Sequence, residues 1–241
     1  MHETLINIFD VILSKWYWTS LFFFIFFSLL YFTGTFITSL FLTNNALQKI
    51  TYAEKPNQRV QEIKNSLVSI FVFSIQAILF QYLYAKNIFQ IRFDNSWNCL
   101  WEIPVLFIWN EIHFFLVHWL LHKKWFFKHI HHVHHWSKEP TPYSIYSFHW
   151  GEAFLLGSVI FFPLFFHDFQ IYSVLSLPFM SIIVNLLGHC NHEAPTTNDA
   201  DSLGRFTFRH TLHHKWSQGN YGFLFPYLDR LFNTQFPKDK D

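Results

Sequence analysis

Cysteine is nearly absent from this chain: Cys99 and Cys190 are the whole supply among 241 residues. Two thiols make neither a disulfide framework nor a Cys-x-x-Cys box, and nothing calls for an oxidising compartment. Both read as packing residues. Net charge is equally scarce, at +1. That balance excludes nucleic acid as a partner, which needs a clustered basic surface. The first apolar run has no basic segment ahead of it and no small-x-small site behind it, so a retained anchor is expected in place of a cleaved signal peptide. Solenoid repeats and low-complexity linkers are missing too, and a single membrane domain over 1–241 follows.

Aromatic and aliphatic residues fill the space. Thirty-three Phe, ten Trp and ten Tyr stand in a chain that is 51% hydrophobic, and they gather in runs that match about 30 Å of hydrocarbon. The predicted spans are Leu21–Leu42, Ser66–Ala85 and Leu100–Leu121, followed by two shorter runs, Ala153–Phe166 and Ile171–Leu187. The last pair is either a crossing pair or a tilted, re-entrant hairpin. Trp16, Tyr17 and Trp18 read as headgroup-level aromatics before the first span. Lys49, Lys55, Arg59 and Lys64 lie in the 43–65 connection against Lys86 and Arg92 in the 86–98 connection, so the former faces the cytoplasm. The fold class is all-α: an integral-membrane helical bundle of about four spans with a cytoplasmic, histidine-rich helical cap.

Histidine carries the chemistry. His118 and His122 stand four apart, and His131, His134 and His135 stand at i, i+3 and i+4 on a helix expected over Lys123–Ser137. The second pattern returns as His210, His213 and His214, and His189 ends the last apolar run. On an α-helix each set faces one way, so its nitrogens converge on one point. Nine imidazoles exceed what one first-row ion takes and suit two. With no thiolate set or carboxylate cluster, iron, zinc and copper all remain open. Glu111, two turns before His118, is read as an acceptor that fixes a ligand tautomer. His113 reads as a packed bystander, and His129 and His132 as exposed polar residues.

The order H-x-x-x-H, H-x-x-H-H, H-x-x-H-H resembles the fatty acid hydroxylase and sterol desaturase superfamily. The stretch HHVHHWSKEPTPYSIYSFHWGEA from His131 resembles that family's triplet, Thr-Pro turn and Phe-His-x-x-Glu element. RHTLHHKWSQGNYGFLFPYLDRLFNT from Arg209 resembles its closing block, and Gly188-His189 its Gly-His element. The likeness covers a catalytic region over 105–235. Trp119, Trp150 and His192 depart from the usual residues. The resemblance implies a cytoplasm-facing pair of iron ions, with zinc able to replace iron in purified samples, held by His118, His122, His131, His134, His135, His189, His210, His213 and His214. His149, His192, Glu111 and Asp229 are candidates for an extra ligand or a supporting contact. It also implies dioxygen, a lipid substrate, and electrons from a carrier of the cytochrome b5 or ferredoxin type. The expected home is the endoplasmic reticulum in a eukaryote or the inner membrane in a bacterium. Oxygen-dependent hydroxylation or desaturation of a sterol or fatty-acyl C–H bond is the leading expectation. A metal-bound lipid-binding scaffold of the same fold is the alternative, and a metal transporter is disfavoured because the histidines cluster at one membrane face.

Overall fold

Hydrocarbon offers a backbone no water to bond, so a spanning segment must satisfy its own amides as a helix. The computed structural model describes residues 2–43, 46–52, 54–94, 96–196 and 198–236. A short helix, α1 (His2–Ile12), precedes α2 (Trp16–Phe41), α3 (Gln58–Ala85) and α4 (Cys99–Leu121). Then come α5 (Lys124–His129), α6 (Trp150–Gly157), α7 (Phe161–Leu164), α8 (Ile171–His189), α9 (Phe206–Trp216) and α10 (Tyr227–Leu231). Four of these, α2, α3, α4 and α8, are long and apolar enough to cross a membrane. A two-residue antiparallel ladder pairs β1 (Gln48–Lys49) with β2 (His192–Glu193).

Residue placement inverts the pattern of a water-soluble bundle. Phe22, Ile25, Leu29, Phe32 and Phe36 of α2 are exposed, whereas Thr19, Tyr31 and Thr35 are buried. On α3, Phe71, Ile75 and Leu79 face outward, and Ser66, Ser69, Ser74 and Gln76 face in. Lipid tails solvate the large side chains as well as a protein core would, so small and hydrogen-bonding residues take the helix contacts. Exposed tryptophans ring both ends: Trp16, Trp97 and Trp101 at one, Trp125, Trp136 and Trp150 at the other, the depth at which indoles settle.

Helix limits differ from the sequence expectation in three places, each for a physical reason. Trp16–Trp18 lie within α2 and not ahead of it. α3 begins at Gln58, eight residues before the expected apolar boundary, because its polar first turns are buried and bonded. Glu62 there accepts Ser137 Oγ at 2.7 Å, Thr141 Oγ1 at 2.5 Å and Gln58 Nε2 at 2.8 Å. The expected helix over Lys123–Ser137 stops at His129. Ile130 departs from helical geometry, and His131–Trp136 continues as a 3₁₀ turn. Six residues is long for that winding; Glu62 pins its exit through Ser137.

The segment Trp150–Leu164 is short for a span. It nonetheless reaches the far end of the bundle, where the turn that follows it is tied down. Arg92 Nε donates to the Asp168 carbonyl at 2.7 Å. Glu102, fully buried in the first turn of α4, pairs with Arg92 and accepts from His167, the Gln170 amide and Ser173. α8 then returns the chain, so that the ends of α4 and α8 and the start of α6 meet at the histidine end.

Glu62 joins α3 to the loop behind the first histidine triplet. Glu62→Ala strands three buried donors, at roughly 1–3 kcal/mol each. A clear fall in the thermal unfolding midpoint of the detergent-solubilised protein is expected, with a smaller fall for Glu62→Gln.

Candidate metal centre

Four segments deliver imidazoles to one buried volume: the end of α4, the 3₁₀ turn, the end of α8, and α9. The rings form two groups. His118, His122, His131, His135 and His213 make one, and His134, His189, His210 and His214 make the other; within each group the candidate ligand atoms lie within 4.8 Å of one another. Neither triplet converges on one point as a uniform helical face would. His131 and His135 join the first group and His134 the second, whereas His210 and His214 join the second and His213 the first. The i, i+4 pairs stay together and the remaining ring crosses over, so each triplet stitches the two groups to each other.

Ring orientation is set from behind. Nδ1 of His118 donates to the Tyr221 carbonyl at 2.8 Å, that of His213 to Gly219 at 2.6 Å, that of His214 to Ser137 at 2.9 Å and that of His189 to Asn185 at 2.9 Å. Nδ1 of His131 meets Glu152 Oε1 at 2.8 Å, both side chains fully buried. A carbonyl only accepts, so each ring bonded to one carries its proton on Nδ1 and turns an Nε2 lone pair inward.

Those lone pairs crowd. Nε2 atoms lie 3.0 Å apart in His213–His135, 3.1 Å in His131–His135, His122–His213 and His210–His214, 3.2 Å in His189–His210 and 3.4 Å in His134–His189. A proton on His135 or His210 answers one of the two lone pairs that ring faces and leaves the other, and His118 Nε2 is buried with no partner. Two nitrogens bound at about 2.1 Å to one ion, at 90–110° to each other, are about 3.0–3.4 Å apart. The spacing matches shared coordination, and the all-nitrogen donor set suits a first-row divalent ion. Burial, and after it the neighbouring rings, pushes His131, His134, His135, His210 and His214 well below the usual imidazole range; burial does the same to His122 and His213. They are neutral, as ligands must be.

The supporting residues fall out differently from expectation. Glu111 touches no imidazole: its Oε2 accepts the amides of Leu224 at 2.9 Å and Phe225 at 3.3 Å. Sharing a helix face with His118 was not enough, because the 219–225 loop lies between. Asp229 grips the same loop from the other side, accepting the amides of Tyr221 and Gly222 at 2.8 and 2.7 Å. The two carboxylates therefore hold the loop whose Gly219 and Tyr221 carbonyls orient His213 and His118. Gly219 has φ +69, and a Cβ there would sit 3.0 Å from the Phe236 backbone. His149 lies outside both groups; its Nδ1 accepts from the Gly151 amide and caps α6. His192 is outside as well, in β2, with Nδ1 on the Cys190 carbonyl at 2.7 Å. His129 and His132 are exposed.

Glu152 is the residue that sequence reasoning missed. It stood in the Phe-His-x-x-Glu element, but its partner His131 lies across a non-helical segment and no periodicity links them. Below the rings opens an apolar cavity walled by side chains of α2, α3, α4 and α8. Phe114, Phe148, Leu156 and Asn185 line both this cavity and the small pocket against His118, His131, His134 and His189.

A helical membrane bundle with a buried, two-part histidine centre at the head of an apolar cavity is the class that fold and site define. The chain belongs to the fatty acid hydroxylase family, whose model matches residues 103–234. Among curated relatives it is 30% identical over 140 residues to a Delta(7)-sterol 5(6)-desaturase of Leptosphaeria maculans, covering 57% of this chain and 37% of the relative. It is 27% identical to rat (Rattus norvegicus) lathosterol oxidase over 201 residues, 79% and 61% of the two chains. It is also 27% identical to a putative methylsterol monooxygenase of Dictyostelium discoideum over 137 residues, 56% and 50% of the two. The chain thus spans less than two thirds of each of these relatives. No solved structure gave a significant match.

Elemental analysis of the purified protein is expected to find about two ions per chain, with less after His135→Ala or His210→Ala. Glu152→Ala is expected to weaken metal affinity roughly 10–100-fold. In the metal-free protein the buried rings stay neutral in the fold, whereas unfolded imidazoles take up protons below about pH 6.5. Stability is therefore full above that pH and is lost as pH falls below it. Glu152 and Asp229, both raised by burial, have the opposite sign but are two groups against seven rings. Thermal midpoints measured from pH 8 to pH 5 test this.

Proposed function

We propose that the chain is a membrane-bound oxygenase that holds two iron ions in its nine-histidine centre and uses dioxygen to hydroxylate or desaturate a lipid C–H bond. One observation carries the reading: the apolar cavity and the small pocket against the inward-turned imidazoles share Phe114, Phe148, Leu156 and Asn185 as a common wall. The names of its relatives favour a sterol-like substrate, with a fatty-acyl chain as the other member of the class. Single-domain organisation over 1–241 with catalysis in 105–235 accords with where the rings originate.

Bound iron would supply dioxygen activation and removal of hydrogen from carbon, which no side chain here can do alone. The protein's own share is positional. Tyr221, Gly219, Ser137, Asn185 and Glu152 fix five of the nine rings, which limits the reorganisation left for the reaction. Phe114, Phe148 and Phe223 line the cavity toward the rings, which excludes water and holds an alkyl carbon against the centre. Lys49, Lys55, Lys123, Lys124, Lys128 and Lys138 gather at the histidine end, against Lys15, Lys86 and Arg92 at the other. This bias supports a cytoplasm-facing centre, reached there by a reduced carrier of the cytochrome b5 or ferredoxin type, in the endoplasmic reticulum or a bacterial inner membrane.

Lipid profiles of cells with and without the gene, grown in air and under nitrogen, are the test. An oxidised lipid is expected only with the intact gene in air, and His131→Ala is expected to abolish it. Identical profiles in all arms would sink the reading.

A further inference from the structure

The cavity wall is apolar but carries a few neutral polar groups. Tyr146, only 5% exposed, lines it with its ring stacked on Tyr31 at 6.0 Å and edge-on to Phe73 at 5.4 Å. The Tyr31 hydroxyl donates to the Tyr143 carbonyl at 2.8 Å. The Tyr146 hydroxyl has no hydrogen-bond partner among the described residues. Leaving such a group unmade in an apolar site costs free energy, and native structures rarely tolerate it without a reason. Tyr146 packs in one cluster with Ile182 and Leu186, the residues of α8 that bracket Asn185. Asn185 lines both the cavity and the pocket at the rings; its Nδ2 donates to the Ser181 carbonyl at 2.8 Å, and its Oδ1 has no partner among the described residues. Phe148, whose centroid lies 6.4 Å from Tyr146 and 4.9 Å from His134, stands between Tyr146 and the centre, whereas Asn185 reaches the pocket at the rings itself.

Positive charge is what the wall lacks. No lysine or arginine lines the cavity, and Glu111, which does, gives Oε2 to the Leu224 and Phe225 amides and keeps Oε1 buried without a partner among the described residues. A carboxylate or phosphate held at the wall would meet that carboxylate and no basic side chain, which is costly. A hydroxyl loses little and finds a donor and an acceptor.

We infer that Tyr146 and Asn185 form a neutral clamp for a hydroxyl on the bound lipid, and that the cavity selects lipid alcohols over free fatty acids and phospholipid headgroups. This deepens the oxygenase reading by naming its substrate class and rests on it. The clamp fixes which carbon faces the rings, so both are positioning residues. The hydroxyl can belong to a sterol or to a straight-chain alcohol.

The test is binding to the full-length protein in detergent, with tritiated cholesterol and tritiated hexadecanol as separate probes. Unlabelled competitors are each alcohol, its methyl ether, and palmitate at neutral pH. At least one alcohol is expected to bind, identifying the source, with its ether about 3- to 10-fold weaker and palmitate failing to compete. Tyr146→Phe, which removes only an unpartnered donor, is expected to keep the thermal midpoint and to weaken alcohol and ether alike, about 3- to 10-fold, because an ether oxygen accepts as an alcohol oxygen does. Asn185→Ala, which removes the acceptor that only an alcohol can donate to, is expected to weaken the alcohol by a similar factor, leave the ether unchanged and so erase the preference. Palmitate competing as well as hexadecanol, an alcohol preference that survives Asn185→Ala, alcohol affinity unchanged by Tyr146→Phe, or no binding of either alcohol overturns the clamp. Binding needs no turnover. Loss of the preference beside an intact oxygen-dependent lipid change removes the clamp alone, and the converse removes the oxygenase reading alone.

Discussion

Everything at the histidine end depends on hydrogen bonds made on the outer side of the rings. A carbonyl or carboxylate behind Nδ1 decides the tautomer, and the tautomer decides that Nε2 points inward as a lone pair. With that arrangement repeated over four segments, the interior becomes a cage of acceptors that repel one another and attract a cation. The rest of the fold serves to bring those acceptors to the right places. Glu62 holds the turn that offers the Ser137 carbonyl, and Glu111 with Asp229 holds the loop that offers Gly219 and Tyr221.

The bundle and the cage are built on opposite logics that do not compete. On α2 and α3 many large side chains face outward and small or hydroxylated ones face inward, while α4 and α8 also bury Leu106, Phe115, Leu177 and Ile182; lipid weakens the usual reward for burying large apolar groups. At the histidine end, polar groups are buried and need exact partners. The transition runs through Phe114, Phe148 and Phe223, aromatic on the cavity side and packed against imidazoles on the other. An apolar cavity thus meets a nitrogen-lined pocket with little intervening surface for water to wet.

The spans and the nine imidazoles were legible in the sequence because both are periodic or compositional signals. A run of apolar residues states its own length, and His-x-x-His-His repeats twice. What was not legible depended on contacts between distant segments. Glu152 meets His131 only after the chain leaves α5, winds as a 3₁₀ turn and restarts as α6. The helix-face argument assigned that role to Glu111, which the 219–225 loop intercepts. The split of each triplet between two groups was hidden for a related reason: spacing records which residues share a turn but not where the facing segments stand.

The loop that orients His213 and His118 closes on itself downstream, through the Asn220 amide on the Thr234 carbonyl at 2.8 Å and the Phe236 amide on Asn220 Oδ1 at 3.0 Å. Those residues leave the ribosome after all four membrane-length helices. During biosynthesis the bundle is therefore threaded first, and the acceptor cage stays open at His118 until residue 236 has emerged. Insertion of the bundle and closure of the cage become successive events, ordered by nothing more than position along the chain.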